Sequence, residues 1–222
     1  IKCNRFRIIM SDLRVDTDAL CQRLEKVRQF GVPNYFAEQR FGRDEKNLHR
    51  AYEVVVQGRR LKDRYLRGLY LSAARSYLFN RVLSQRVQMR VWDQAVDGDA
   101  LILNGSHSFF VIDHVDETIS QRIQQFDIHP SGPMWGKGDR VIKKQAEQIE
   151  TLALESEQPW CRGLEALGLK AQRRALRLPV VGFKWEFLPS QRLLLQFTLP
   201  SGAYATSVIR ELITMSKPQL EQ

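Results

Sequence analysis

The sequence predicts an α+β protein in which one sheet is built from the two ends of the chain and interrupted by a long insertion. Three observations predict it. The chain opens on a strand and a helix that stops hard, it closes on a strand, a turn and a helix, and the stretch between them changes character twice. The nesting is inferred from this order of elements; periodicity alone does not prove it.

At the start, Arg5 to Met10 (R-F-R-I-I-M) is rich in β-formers and reads as a strand. Asp16 can cap a helix whose apolar residues Leu20, Leu24 and Val27 recur at i, i+4 and i+7. Gly31-Val32-Pro33 ends that helix, since glycine suits the C-cap and proline cannot continue it. From Tyr35 to about Arg90 the chain reads as mainly helical and very basic. Between Arg43 and Arg90, 12 Lys and Arg residues face four acids, which is +8 of the total. Ser72 is expected to cap a helix carrying Ala74, Leu78 and Val82, on which Arg75, Arg86 and Arg90 would form a cationic ridge. Set against the ridge is an ordinary solvated face beside a core helix, the better reading for most of these arginines taken singly.

Asp93 to Asp127 reverses the sign, with seven acids and Arg122 alone opposing them. Asp97-Gly98-Asp99 and Asn104-Gly105 are turn signals around Ala100 to Leu103, with Phe109 to Ile112 as the partner strand. Helices are expected at about Asp139 to Glu155 and about Arg162 to Leu176, the latter ending in a basic run. Leu193 to Leu199 reads as a buried strand, Pro200-Ser201-Gly202 as a turn and Thr206 to Thr214 as a helix.

Composition excludes several classes. The 222 residues (25.8 kDa) are 43% hydrophobic and 27% charged with a mean hydropathy of -0.36, which rules out wholesale disorder and a membrane-embedded body. A net charge of +9 and a pI near 9.7 favour polyanions, nucleic acid above all, over an indifferent basic surface. The chain opens at Ile1 with no initiator Met and no signal pattern, and Ile1 to Met10 reads as a strand entered part-way, so it reads as a piece of something longer. Cys3, Cys21 and Cys161 are odd in number and far apart, which fits a reducing compartment, the cytoplasm, better than a disulfide framework. His49, His107, His114 and His129 lack any paired spacing for a metal. Gly132 to Gly138 is one residue short of a phosphate loop and lacks its Ser or Thr, and Gly105-Ser106-His107-Ser108 is no nucleophile elbow.

One stretch stands out: Gly31-Val32-Pro33-Asn34-Tyr35-Phe36-Ala37-Glu38-Gln39-Arg40-Phe41-Gly42. Its planar side chains suit stacking and hydrogen bonding to RNA, with Arg40 for phosphate. They equally suit a rigid hinge whose aromatics pack inward. Both readings stand on composition.

This stretch resembles the G-V-P-N-Y-F-G-x-Q-R-F-G signature of the tRNA pseudouridine synthase D family. Further segments agree in order. Leu71-Ser72-Ala73-Ala74-Arg75-Ser76-Tyr77-Leu78-Phe79-Asn80 resembles the family's S-A-A-R-S-x-L-F-N helix. Val96-Asp97-Gly98-Asp99 is similar to its D-G-D turn, and Pro133-Met134-Trp135-Gly136 to its P-L-W-G loop. Leu199-Pro200-Ser201-Gly202-Ala203-Tyr204-Ala205-Thr206 through Arg210-Glu211-Leu212 resembles L-P-x-G-S-F-A-T-x-V-x-R-E-L. The likeness runs from Lys2 to Ile213.

The resemblance implies a pseudouridine synthase catalytic sheet, present in part, interrupted by an inserted α/β TRUD domain. Residues 1–30 and 178–222 would be catalytic domain and residues 31–177 the insertion. The implied activity is isomerisation of a uridine in the D arm of tRNA. The base is flipped out, its glycosidic bond broken, the ring turned and C5 rejoined to the ribose. The resemblance implies no cofactor and no metal, tRNA as partner, no membrane and a monomer. The family's aspartate lies in Gly-x-Lys-Asp-x-x-Ala-x-Thr; the one Lys-Asp pair here, Lys62-Asp63, matches none of the surrounding pattern. The nucleophile is therefore expected upstream of Ile1 and the chain inactive alone. Lys2-Cys3-Asn4-Arg5-Phe6 resembles K-G-N-x-F, with Cys3 in place of glycine. Asn4 would contact the flipped nucleotide or hold the aspartate, Phe6 would wall the pocket, and Tyr204 would stack on the target base. Asn34, Arg40, Phe41, Arg75, Asn80 and Arg210 are candidates for RNA contact or for supporting the site. The contrasting reading is a non-catalytic RNA-binding fragment. A DNA-binding regulator would rest only on the basic helix Ser72 to Arg90.

Overall fold

The computed structural model describes residues 3–213. Lys2 of the first motif and Thr214 of the last expected helix lie outside the described residues. In chain order the first elements are β1 (Cys3–Met10), α1 (Thr17–Phe30), β2 (Val32–Pro33), α2 (Glu38–Phe41) and a 3-10 turn (Arg43–Glu45). Then come α3 (Lys46–Val55), α4 (Arg64–Gln88), β3 (Ala100–Leu103), β4 (Phe109–Val111), α5 (Glu117–Gln124) and β5 (Ile128–Met134). The last are α6 (Lys144–Ala153), α7 (Gln158–Ala166), β6 (Gln172–Ala175), β7 (Arg177–Leu178), β8 (Val181–Leu188), β9 (Arg192–Pro200) and α8 (Ala205–Leu212). The chain divides into two compact units, Ile1–Val32 with Leu178–Gln222, and Pro33–Arg177.

The first unit holds an antiparallel sheet of order β1-β9-β8. Its central strand, β9, turns Leu193, Leu195, Phe197 and Leu199 to one side, all buried, as the period of two requires. Leu20, Leu24 and Val27 of α1, with Val208 and Leu212 of α8, close that face. The expected cap is present: the Asp16 carboxylate accepts the backbone N–H groups of Asp18 (2.8 Å) and Ala19 (3.2 Å). Gly31 ends α1 at φ +70°, where a Cβ would lie 2.4 Å from the Leu178 carbonyl oxygen. Only glycine fits both constraints.

The second unit packs helices against a sheet of order β4-β3-β5-β6, and β3/β4 form as the turn signals predict. The Ser72 cap is a correction: α4 begins at Arg64, with Asp63 as its N-cap, nine residues before Ser72. The Asp63 carboxylate accepts from Tyr65 (2.8 Å) and Leu66 (3.0 Å), a stronger start than a serine facing a helix already under way. The helix expected from Arg162 to Leu176 is also corrected. It runs as α7 and gives way at Leu167-Gly168 to β6, which pairs with the last four residues of β5. Strand β5, with Pro130 and Pro133, shares its pairing between neighbours: β3 takes Ile128 to Pro130 and β6 takes Ser131 to Met134. Gly98 of the D-G-D turn has φ +83°, and a Cβ there would lie 2.0 Å from the Lys143 carbonyl oxygen. Among the described residues no helix is long and apolar enough to cross a membrane.

Candidate functional site

In the first unit the β1/β9 register sets Asn4 opposite Leu199 and Phe6 opposite Phe197. Asn4 is exposed, near the strand end that leads through the Pro200 turn to Tyr204. Tyr204 is half-buried and is the residue from which α8 starts, in extended conformation (φ -116°, ψ 129°). Asn4 and Tyr204 thus come to the same end of the sheet. Phe6 is committed otherwise: its ring stacks on Phe197 at 5.3 Å and 27°, as part of the hydrophobic core. One face at most is left for a pocket wall. Arg210 lies exposed on α8. The C-terminal end of that helix is tied down by Arg23, whose guanidinium donates to the Leu212 carbonyl at 3.0 Å.

The signature stretch in the second unit is turned inward. Asn34 is buried and hydrogen-bonded on every side: its backbone N–H donates to Leu176 (2.8 Å) and its amide nitrogen to the Ala175 carbonyl (2.8 Å), while its amide oxygen accepts from Arg174 (2.9 Å). Asn80 of α4 holds the Phe36 backbone in both directions, accepting its N–H at 3.0 Å and donating to its carbonyl at 2.9 Å. Phe36 is buried, edge-on to Phe79 at 5.5 Å, with the Arg174 guanidinium 4.2 Å and that of Arg40 5.5 Å from its ring centroid. Arg40 also donates to the Ser72 hydroxyl (3.2 Å), and Phe41 packs on the core between α3 and α4. Of the two readings of this stretch, the inward-packed one matches these contacts.

The basic stretch divides in the same way. Arg75 is half-buried and donates to the carbonyls of Met134 (2.7 Å) and Lys170 (3.0 Å). Burial lowers the pKa of its guanidinium. Arg86 corrects the expected ridge outright: it is buried and forms a two-pronged ion pair with Asp99 of the D-G-D turn. Asp99 accepts the Val96 N–H as well (2.9 Å), so the pair clamps that turn to α4. The signal was present in sequence, since Leu78, Val82 and Arg86 continue one i, i+4 stripe. A second pair that sequence did not suggest, Arg173–Glu150 at 2.7 Å, is also buried. Arg50 and Arg59 share Glu53, whose carboxyl they hold below the usual range.

A family model described as tRNA pseudouridine synthase D (TruD) matches residues 1–62 and 59–212. The tRNA pseudouridine synthase D of Nitrosococcus oceani is 46% identical over 214 residues, covering 96% of this chain and 60% of that protein. That of Methylococcus capsulatus is 48% identical over 210 residues, covering 95% of this chain and 59% of that protein. The chain therefore spans about 60% of the length of these relatives. A crystal structure of a putative tRNA pseudouridine synthase D from Methanosarcina mazei superposes with a TM-score of 0.71 at 18% identity, covering 96% of this chain and 69% of that one. At that identity the likeness shows the fold.

Proposed function

The chain belongs to the tRNA pseudouridine synthase D family, and from that premise we propose that the protein isomerises a uridine in the D arm of tRNA to pseudouridine. The observation that carries this reading is the family match along both units, together with an exposed amide and a half-buried aromatic ring at one end of the first unit's sheet. Tyr204 stacks on the extruded uracil, and Asn4 supplies an amide that both donates and accepts to the flipped nucleotide or the reacting carboxylate. Stacking on a splayed base contributes roughly 1–3 kcal/mol, which helps offset its extrusion from the RNA. Phe6 backs the site through its stack on Phe197.

The one Lys-Asp pair of this chain lacks the family's surrounding pattern and its Asp63 carboxylate caps α4, so on this reading the nucleophilic aspartate lies outside the 222 residues. The 222-residue chain by itself then binds tRNA without converting it. Pseudouridine formation on a tRNA transcript tests both statements: the full-length protein is expected to turn over and this chain alone is not. In the full-length protein Tyr204→Phe keeps most activity, while Tyr204→Ala loses flipping and turnover. A loss of orders of magnitude in Tyr204→Phe would make the hydroxyl a proton carrier instead of a bystander.

A further inference from the structure

Half of the twelve cations between Arg43 and Arg90 are already engaged, counting Arg43 at 3.9 Å from Asp44. Arg50 and Arg59 hold Glu53, Arg81 lies 3.4 Å from Glu157, Arg75 holds backbone carbonyls and Arg86 is buried on Asp99. Arg60, Lys62, Arg64 and Arg67 differ. All four are exposed, and none forms an ion pair among the described residues. They fall within eight consecutive residues, on the loop before α4 and its first turn, with Asp63 alone opposing them. The Asp63 carboxylate caps that turn and offsets the helix dipole there, leaving the four cations in excess.

Among these cations stands Tyr65, 79% exposed, more than any other large apolar side chain among the described residues. Three residues on, one helical turn away, is Gly68. Glycine inside a helix costs about 1 kcal/mol against alanine. Here neither a positive φ nor close packing calls for it, since a Cβ at Gly68 would meet nothing within 4 Å. Its missing side chain leaves the helix surface one turn after Tyr65 open.

We infer that residues 60–68 form a docking surface for RNA, in which Arg60, Lys62, Arg64 and Arg67 contact phosphates and one unstacked base lies on Tyr65 over Gly68. The inference rests on the proposed tRNA substrate and adds to it a surface remote in sequence from Asn4 and Tyr204. Single-stranded RNA is bound by this combination of cations tracking the backbone and an exposed ring that takes any base.

The test is the affinity of the 222-residue chain for a tRNA transcript, measured by fluorescence anisotropy over a series of salt concentrations, with thermal unfolding of each variant alongside. Combined Lys62→Ala, Arg64→Ala and Arg67→Ala is expected to reduce the slope of log K against log salt by about 2. Tyr65→Ala should weaken binding about ten-fold with the slope unchanged, and Tyr65→Phe should bind as the parent does. Gly68→Leu should raise the unfolding temperature yet weaken binding, which a purely structural glycine would not do. Parental affinity and slope in the triple variant would overturn the docking surface and leave the synthase reading standing. A parent chain with no affinity for tRNA would overturn both. Heparin bound as tightly as tRNA, with Tyr65→Ala neutral, would reduce the patch to a general polyanion surface and overturn base stacking.

Discussion

Residues 34–41 and residues 58–68 both set aromatic rings beside arginine, three rings with Arg40 in the first and Tyr65 among four arginines and Lys62 in the second, and the fold uses them in opposite ways. In the first, Phe36 is buried beneath two guanidinium groups and Asn34 is enclosed by the carbonyls and side chains of residues 174–176. In the second, Tyr65 stands in solvent, and Arg60, Lys62, Arg64 and Arg67 form no ion pair among the described residues, while Arg59 at the edge of the stretch pairs with Glu53. The first stretch crosses the middle of α4, where Asn80 and Ser72 wait for it; the second joins α3 to the start of α4, anchored by Leu61 and Arg59 while its other cations stay exposed. An arginine is read as structural or substrate-facing by what stands opposite it, not by its neighbours in sequence.

The comparison breaks most sharply at the deepest inward cation. Asp99→Ala strands the Arg86 guanidinium in the core and should destabilise the protein by about 4 kcal/mol in denaturant unfolding. A loss under 1 kcal/mol would mean that Arg86 reaches water and that the inward set is looser than described. Phe36→Ala removes the ring beneath Arg40 and Arg174 and should cost about 3 kcal/mol, with the 58–68 surface unaffected.

The inward set also contains a titratable group. His129 is buried beside Asn104, and burial, with the Arg177 charge adding to it, pushes its imidazole pKa down to about 4. The unfolded chain binds that proton near pH 6.5 and the folded one does not, so stability is full above pH 6.5 and falls as pH drops toward 4. The loss between neutral pH and pH 5 should be about 2 kcal/mol, and His129→Gln should flatten it. An unchanged slope in that variant would assign the effect to carboxylates elsewhere. The smallest effect belongs to the outward region: Tyr65→Ala should change stability by less than about 0.5 kcal/mol, because its ring leaves little contact to lose. A large loss there would show the ring to be packed and erase the contrast.

Elements whose signal is local were legible from sequence. β1, α1 with its Asp16 cap and Gly31 stop, the β3/β4 hairpin, and β9 with α8 each carry their own period, cap or turn. Elements defined by partners were not. β6 (Q-R-R-A) reads as the tail of a basic helix and becomes a strand because β5 offers it a ladder. β8 hid its strand character by exposing most of its residues from the sheet edge. α4 ran back across Gly68 to Asp63, a cap masked by the expectation that Ser72 was one.

At the site the division is similar. Asn4, Phe6 and Tyr204 were marked by motif, yet the stack of Phe6 on Phe197 followed only from strand register. By itself the sequence determined the local elements, the basic balance and the ordered motifs that place the chain in its family. Only the tertiary structure decided which of the twelve cations between Arg43 and Arg90 were neutralised within the fold and which stayed exposed. Charge is carried by the residue, but whether it is available depends on the desolvation and the partner that packing imposes on it.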